Sequence, residues 1–196
     1  MARHVGIASL ARDARVHVLF RGYVTNRVAS TVTFVEDGPL RAIVDPGMVP
    51  RRDAILAPLA RLRIRPEEVT DVILSHHHPD HTMNVALFPE ARVHDFWATY
   101  VHDRWESVAA DGRRLSPSVS LLATPGHTPQ DITTLVGTAE GVVALTHLWW
   151  NSRGPTPDPL AWDTHKVALH RARVRGLADE IIPGHGAPFR VRRTAR

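Results

Sequence analysis

Short runs rich in Val, Ile, Thr and Phe open the chain: Val16 to Arg21, Val28 to Val35 and Leu40 to Val44, separated by Asn26 and by the turn Glu36-Asp37-Gly38-Pro39. This pattern predicts an antiparallel β-meander. From Arg51 to Arg63 the apolar positions Ile55, Leu59 and Leu62 fall at three- to four-residue spacing, the stripe of an amphipathic helix that Pro66 stops. Val69 to Leu74 is nearly all apolar, which predicts a strand buried on both faces in the middle of a sheet. In the second half, Val119 to Ala123, Ile132 to Val136 and Gly141 to Thr146 read as strands, Phe96 to Arg104 and Thr164 to Leu177 as helices, and Ile181-Ile182 as a last short strand. Asn151 to Asp158, with Gly154, Pro155, Pro157 and Pro159 close by, is the one long irregular stretch. Strands and helices alternate after an antiparallel start, which predicts a layered α/β architecture.

Composition narrows the chemistry. The 196 residues, 43% hydrophobic and 22% charged, suit one domain spanning 1–196 that can bury a core without disulfide or metal support. Cysteine is absent, which excludes a disulfide framework, a thiolate nucleophile and every cysteine-ligated metal site. Any metal must be held by His, Asp or Glu. The net charge is +4, and Lys166 is the single lysine among 24 basic residues. The arginines are scattered, the pattern of a solvated surface, so nucleic-acid binding is expected to be weak and steeply salt-dependent at most. No segment matches a signal peptide or a membrane span, and the expectation is a soluble, cytoplasmic protein that acts on a small-molecule substrate. The sequence carries no mark of oligomeric state.

Thirteen histidines is a high count for this length, and several stand where a predicted strand gives way to a loop. The strand Val69 to Leu74 runs into Ser75-His76-His77-His78-Pro79-Asp80-His81, displaying imidazoles and a carboxylate beyond its carboxyl end, where open α/β sheets bind ligands. His76 and His78, two apart, can project together from an extended segment toward one ion. Asp80 and His81 can supply an oxygen and a nitrogen to a second ion beside it. The placement recurs at His127 in Thr124-Pro125-Gly126-His127-Thr128, at His147 after a buried strand, and at His185 in Pro183-Gly184-His185-Gly186. Two adjacent ions can share a water, lower its pKa and clamp both sides of a displacement.

Together these motifs resemble the metallo-β-lactamase superfamily: its His-x-His-x-Asp-His is His76, His78, Asp80 and His81, its Gly-His turn is His127, and its closing Pro-Gly-His-Gly is His185. The resemblance runs from the opening hairpin to residue 189 and extends to the small single-domain members. It implies a four-layer αββα sandwich with a dinuclear site at one edge. His76, His78 and His127 would hold the first of two divalent ions, and Asp80, His81 and His185 the second. Zinc is the first choice of metal, with iron or manganese as alternatives. Asp45, in Val44-Asp45-Pro46-Gly47, matches the family's Asp-x-Gly turn and would orient a ligand.

One position departs from the family. Where most members place a bridging Asp, this chain has His147, whose neutral ring offers a single free lone pair and is expected to bind the second ion alone. The resemblance implies a metal-dependent hydrolase in which a metal-bound hydroxide, oriented by Asp80, attacks a carbonyl or phosphoryl centre. With one acidic ligand instead of two, the site favours an anionic ester, thioester, lactone or phosphodiester. The alternatives are a metal-dependent nuclease, and a non-hydrolytic metal-binding or iron redox protein on the same fold. Trp149 and Trp150 read as packing residues at the start of a Pro-rich loop that could form a lid. His4, His17, His94, His102, His165 and His170 read as surface residues, and His77 needs no role.

Overall fold

The computed structural model describes residues 10–192, so the expectations for His4 and for a single domain over 1–196 reach beyond the described residues. Strands β1 (Arg15–Phe20), β4 (Val32–Asp37), β5 (Leu40–Val44), β6 (Asp71–Ile73), β7 (Arg92–His94), β8 (Ala98–Val101) and β9 (Arg104–Ser107) form one seven-stranded sheet in that order. Strands β10 (Val119–Ala123), β11 (Ile132–Thr138), β12 (Gly141–Thr146), β13 (Glu180–Pro183) and β14 (Phe189–Arg190) form a five-stranded sheet, and β2 (Tyr23–Val24) with β3 (Val28–Ala29) makes a small ribbon. Both large sheets are mixed. β4 and β5 pair antiparallel, with Thr33 opposite Val44, whereas β5–β6, β6–β7 and β12–β13 run parallel.

The two sheets face each other across one apolar layer. Val35, Ala42, Val44 and Ile73 from the first meet Leu121, Ile132, Val136, Val143, Leu145 and Ile182 from the second. The outer face of the first sheet is covered by helix α1 (Asp53–Arg61), whose Ile55 and Leu59 pack on Phe34, Ile43 and Val72. After the single turn α2 (Pro79–Thr82), helix α3 (Thr164–Leu177) covers the second sheet, placing Val174 with Leu135, Ala144 and Ile181. The result is an αββα sandwich in which β6, buried at all three residues, lies inside its sheet as its apolar run predicts. Fully burying each such side chain contributes about 1.5–3 kcal/mol.

Three elements differ from the sequence reading. The segment expected as a helix over Phe96 to Arg104 is the β8–β9 hairpin. Asp95 Oδ1 accepts the backbone N–H groups of Trp97 and Ala98, a local turn that draws the chain away from helix, and His102 at φ 53° closes the hairpin. The helix expected from Arg51 to Arg63 ends at Arg61, short of Pro66, because Arg63 turns left-handed at φ 61°, and Leu62 lies exposed. The run Val28 to Val35 is interrupted after Ala29, where Ser30 and Thr31 leave the ladder to grip other turns. Ser30 donates to the Asp45 carbonyl, and Thr31 N–H donates to Gly184 O at 2.7 Å. No helix among the described residues is long and apolar enough to cross a membrane.

Candidate metal centre

Residues that follow the carboxyl ends of β5, β6, β10, β12 and β13 meet at one edge of the sandwich. Six histidines and Asp80 converge there in three overlapping groups: His76 with His78 and His127; His76 with His81 and His147; Asp80 with His81 and His185. Within each group the donor atoms lie within 4.8 Å of one another. Every residue proposed as a ligand from the sequence is therefore brought into one cluster. The loop carrying the first ligands is clasped by the Asp45-Pro46-Gly47 turn: Met48 N–H donates to Asp80 O, and Asn84 Nδ2 to Gly47 O. Only glycine fits at position 47, since a Cβ there would stand 1.7 Å from the Asp80 carbonyl oxygen.

The outer nitrogens reveal which way each ring is turned. Asp45 Oδ2 accepts from His81 Nδ1 at 2.9 Å, while its two oxygens also take the N–H and hydroxyl of Ser75. The Ser75 proton is thereby committed, so its oxygen accepts from His76 Nδ1 at 3.0 Å. The Ala29 carbonyl, freed by the break after β3, accepts from His185 Nδ1 at 2.9 Å. Asp158, from the Pro-rich loop, accepts from His127 Nδ1 at 2.8 Å. In all four rings the Nδ1 proton points outward and Nε2 presents a lone pair inward. His81 Nε2 and His185 Nε2 consequently face each other at 3.4 Å with no proton between them.

Burial pushes the pKa of His76 and His147 well below the ordinary imidazole value, with neighbouring histidines adding to the effect. His185 falls to about 4 for the same reasons, and burial also lowers His78. The inward lone pairs of these four rings, joined by His78, His147 and the Asp80 carboxylate, form a donor set that fits borderline divalent cations such as zinc, iron or manganese. Nitrogen and oxygen donors alone give no choice among the three.

His147 sits at the centre. Its ring centroid lies 4.2 Å from His127 and 4.4 Å from His76, and its Nε2 lies 3.0 Å from His185 Nε2. Unlike the four rings above, its Nδ1 has no hydrogen-bond partner among the described residues. The Gly184 backbone presses against this ring, where a Cβ would come within 2.3 Å of the imidazole.

Several residues differ from what the sequence pattern predicts. His94, expected on the surface, is buried, with Nε2 2.7 Å from Asp71 Oδ1 and Nδ1 beside the Thr99 hydroxyl. His102 and His165 are exposed as expected, and His17 and His170 are partly so. His77 pairs with Asp95 and turns away from the donor cluster. Trp149 is buried packing, with Arg171 and Arg175 over its ring. Trp150 instead stands 6.5 Å from His127 and 6.4 Å from His185, flanking both ends of the cluster. Asp158 had no motif around it; a carboxylate between two prolines in a loop read as irregular was the only signal. Asp131 was missed as well: it holds the His127 turn by accepting from the Thr128 N–H and hydroxyl, and burial pushes its carboxyl up to about 6. A groove of about 600 Å³ lined by Arg12, His17, Glu140 and Arg190 contains none of the clustered ligands.

Paired sheets backed by helices, with a His and Asp donor set suited to metal gathered where the strands run out, define the class of the fold and its site. The family model of the metallo-beta-lactamase superfamily matches residues 25–188, and the chain belongs to that superfamily. Metallo-beta-lactamase domain-containing protein 1 of Xenopus laevis is 36% identical over 195 residues, covering 90% of this chain and 81% of the relative. A Thermotoga maritima crystal structure assigned to the metallo-beta-lactamases superposes with TM-score 0.73 at 24% identity, over 91% of this chain and 100% of the other. An N-acyl homoserine lactone hydrolase with the product N-hexanoyl-L-homoserine at its catalytic metal centre superposes with TM-score 0.67 at 16% identity, over 90% and 94% of the two chains.

Proposed function

We propose that this chain is a metal-dependent hydrolase that acts on a small anionic ester, thioester, lactone or phosphodiester. The observation that carries this reading is the inward convergence of six imidazoles around a single acidic ligand, four of them with the outer proton committed to a fixed acceptor. In the proposed arrangement His76, His78 and His127 hold one divalent ion, and Asp80, His81 and His185 hold a second with His147 as a further nitrogen donor. Zinc is the proposed metal in both positions. The bound ions would supply Lewis acidity, making water a nucleophile near neutral pH and stabilising negative charge on the substrate oxygen.

The protein's own groups have distinct tasks. Asp80, whose carboxylate is the most solvent-accessible of the second set and lies 3.5 Å from both His81 Nε2 and His185 Nε2, would accept the proton of the attacking water. Asp45 holds His81 and Ser75 in register, and the Trp150 indole forms an apolar wall along both ends of the cluster. One carboxylate among seven clustered side chains leaves the ions less neutralised than a carboxylate bridge would, which favours anionic substrates.

The test is metal analysis of the purified chain followed by a panel of carboxylate-bearing lactones, thioesters, esters and phosphodiesters, each beside a neutral analogue. Metal-dependent turnover that is faster on the anionic member of a pair supports the reading. A fully metal-loaded chain that hydrolyses none of them contradicts it, and metal-dependent RNA cleavage would replace it with a nuclease.

A further inference from the structure

We infer that Asp158 is a positioning residue for the ion bound at His76, His78 and His127, supplying through His127 part of the negative charge that His147 withholds from the cluster. The inference rests on the metal-centre reading above and concerns how one half of it is held.

Asp158 is 2% exposed, and every group that reaches it is a donor. His127 Nδ1 stands 2.8 Å from Oδ2, Trp150 Nε1 lies 3.2 Å from the same oxygen, and Leu160 N–H lies 2.9 Å from Oδ1. An amide could not replace it without turning its NH₂ toward one of these donors, so the position demands a carboxylate. Three donors and no acceptor reach its two oxygens, which is the partner set of an ionised carboxylate. An ionised acceptor fixes His127 as the Nδ1–H tautomer, aims Nε2 inward and makes that nitrogen more basic.

Loop geometry alone does not require this carboxylate. The loop is tethered separately by Arg171, which donates to Leu148 O, Thr156 Oγ1 and Pro155 O. Asp158 is the loop side chain bonded to a ligand ring. It places a full negative charge one hydrogen bond behind the first ion set, as Asp45 does behind His81. With an imidazole at position 147, these two buried carboxylates and Asp80 are the anions in direct contact with the ligand rings.

The experiment uses the full chain, stripped of metal and titrated with zinc against a competing chelator. His78→Ala and His185→Ala identify which dissociation step belongs to which ligand set. Asp158→Asn is expected to weaken the His78-dependent step by roughly 10- to 100-fold and to leave the other unchanged. Thr156→Val, which cuts one loop tether without touching Asp158, is expected to leave both steps as they were. Should Asp158→Asn not fold, the parent chain still answers: ¹⁵N imidazole NMR of the metal-free protein must show His127 as the Nδ1–H tautomer. Equal weakening of both steps, the same loss from Thr156→Val, a His127 Nε2–H tautomer, or no zinc binding at all would overturn the inference. Zinc steps that behave as expected in a chain without hydrolytic activity would uphold it while overturning the hydrolase reading.

Discussion

His81 and His127 belong to opposite halves of the donor cluster, and each gives its outer proton to a buried carboxylate, yet the two carboxylates are held in different ways. Asp45 stands at the end of β5, at φ 52°, with its N–H bonded to Ile73 O and its carbonyl to Ser30. Its support comes from the sheet. Asp158 stands in an irregular loop fastened by side chains: Trp150 on one side, and Arg171 bonding the loop from beneath. The carboxylate behind the second ion set is thus held by the sheet, whereas the one behind the first is held by a loop that side chains fasten. Damage near Asp45 should cost the fold, and damage near Asp158 should cost one ion.

The largest effect is expected from His78→Ala. His78 contributes Nδ1, 3.0 Å from His76 Nε2 and 3.2 Å from His127 Nε2, and the residue is exposed, so the variant should fold normally. Loss of one ion removes several kcal/mol of transition-state stabilisation, so turnover should drop at least about a hundredfold. Full metal content and activity in this variant would dissolve the proposed division into two halves.

Asp45→Ala comes next, read on stability. It strands the Ser75 N–H and hydroxyl and the His81 N–H in a buried setting, with an expected loss of about 3–5 kcal/mol by urea denaturation. Asp158→Ala should lose less by the same measurement, because its loop keeps the Arg171 tether. Equal losses would erase the contrast between sheet-held and loop-held anchors.

His147→Ala sharpens the boundary between the halves. If His147 serves the ion at Asp80, His81 and His185, the variant should weaken that ion alone, and His147→Asp should keep both while reducing the preference for anionic substrates. Unchanged stoichiometry and affinity in the Ala variant would remove His147 from the ligands.

The smallest effect is on pH dependence. In the metal-free chain the pKa values of His76, His78, His147 and His185 lie below the ordinary imidazole value, so the unfolded chain binds more protons than the folded one. The stability they contribute is complete above about pH 6.5 and is lost as the pH falls toward 4. Asp131, raised to about 6, acts with the opposite sign over part of that window, but four histidines outweigh it. The melting temperature should therefore decline from pH 7 to pH 4.5, and zinc saturation should raise it near pH 7 without flattening the decline, because a bound ion keeps the ligand rings unprotonated in the folded chain. A flat profile would contradict the buried, neutral imidazoles.

The same contrast explains what the sequence could tell. Its motifs name the strand-end ligands because the His groups follow apolar runs where a strand gives way to a loop or turn, and that local grammar is legible without a structure. The αββα layering was legible for the same reason, through the periodicity of β5, β6, β10 to β12 and α3. Asp158 was not legible, because its partner His127 is 31 residues away across two strands and the loop that carries it has no period. The β8–β9 hairpin was read as a helix since one Asp side chain, not residue spacing, decides its start. His94 passed for a surface residue because β7 is only three residues long and its partner Asp71 lies on a neighbouring strand.

Zinc stoichiometry of the metal-stripped full chain, followed together with hydrolysis as metal is restored, tests the central claim most directly. The account expects two equivalents bound, the His78-dependent and His185-dependent steps separable, and hydrolysis of an anionic substrate appearing only as the ions load. A chain that binds no zinc, or that hydrolyses equally well with and without it, would contradict the account.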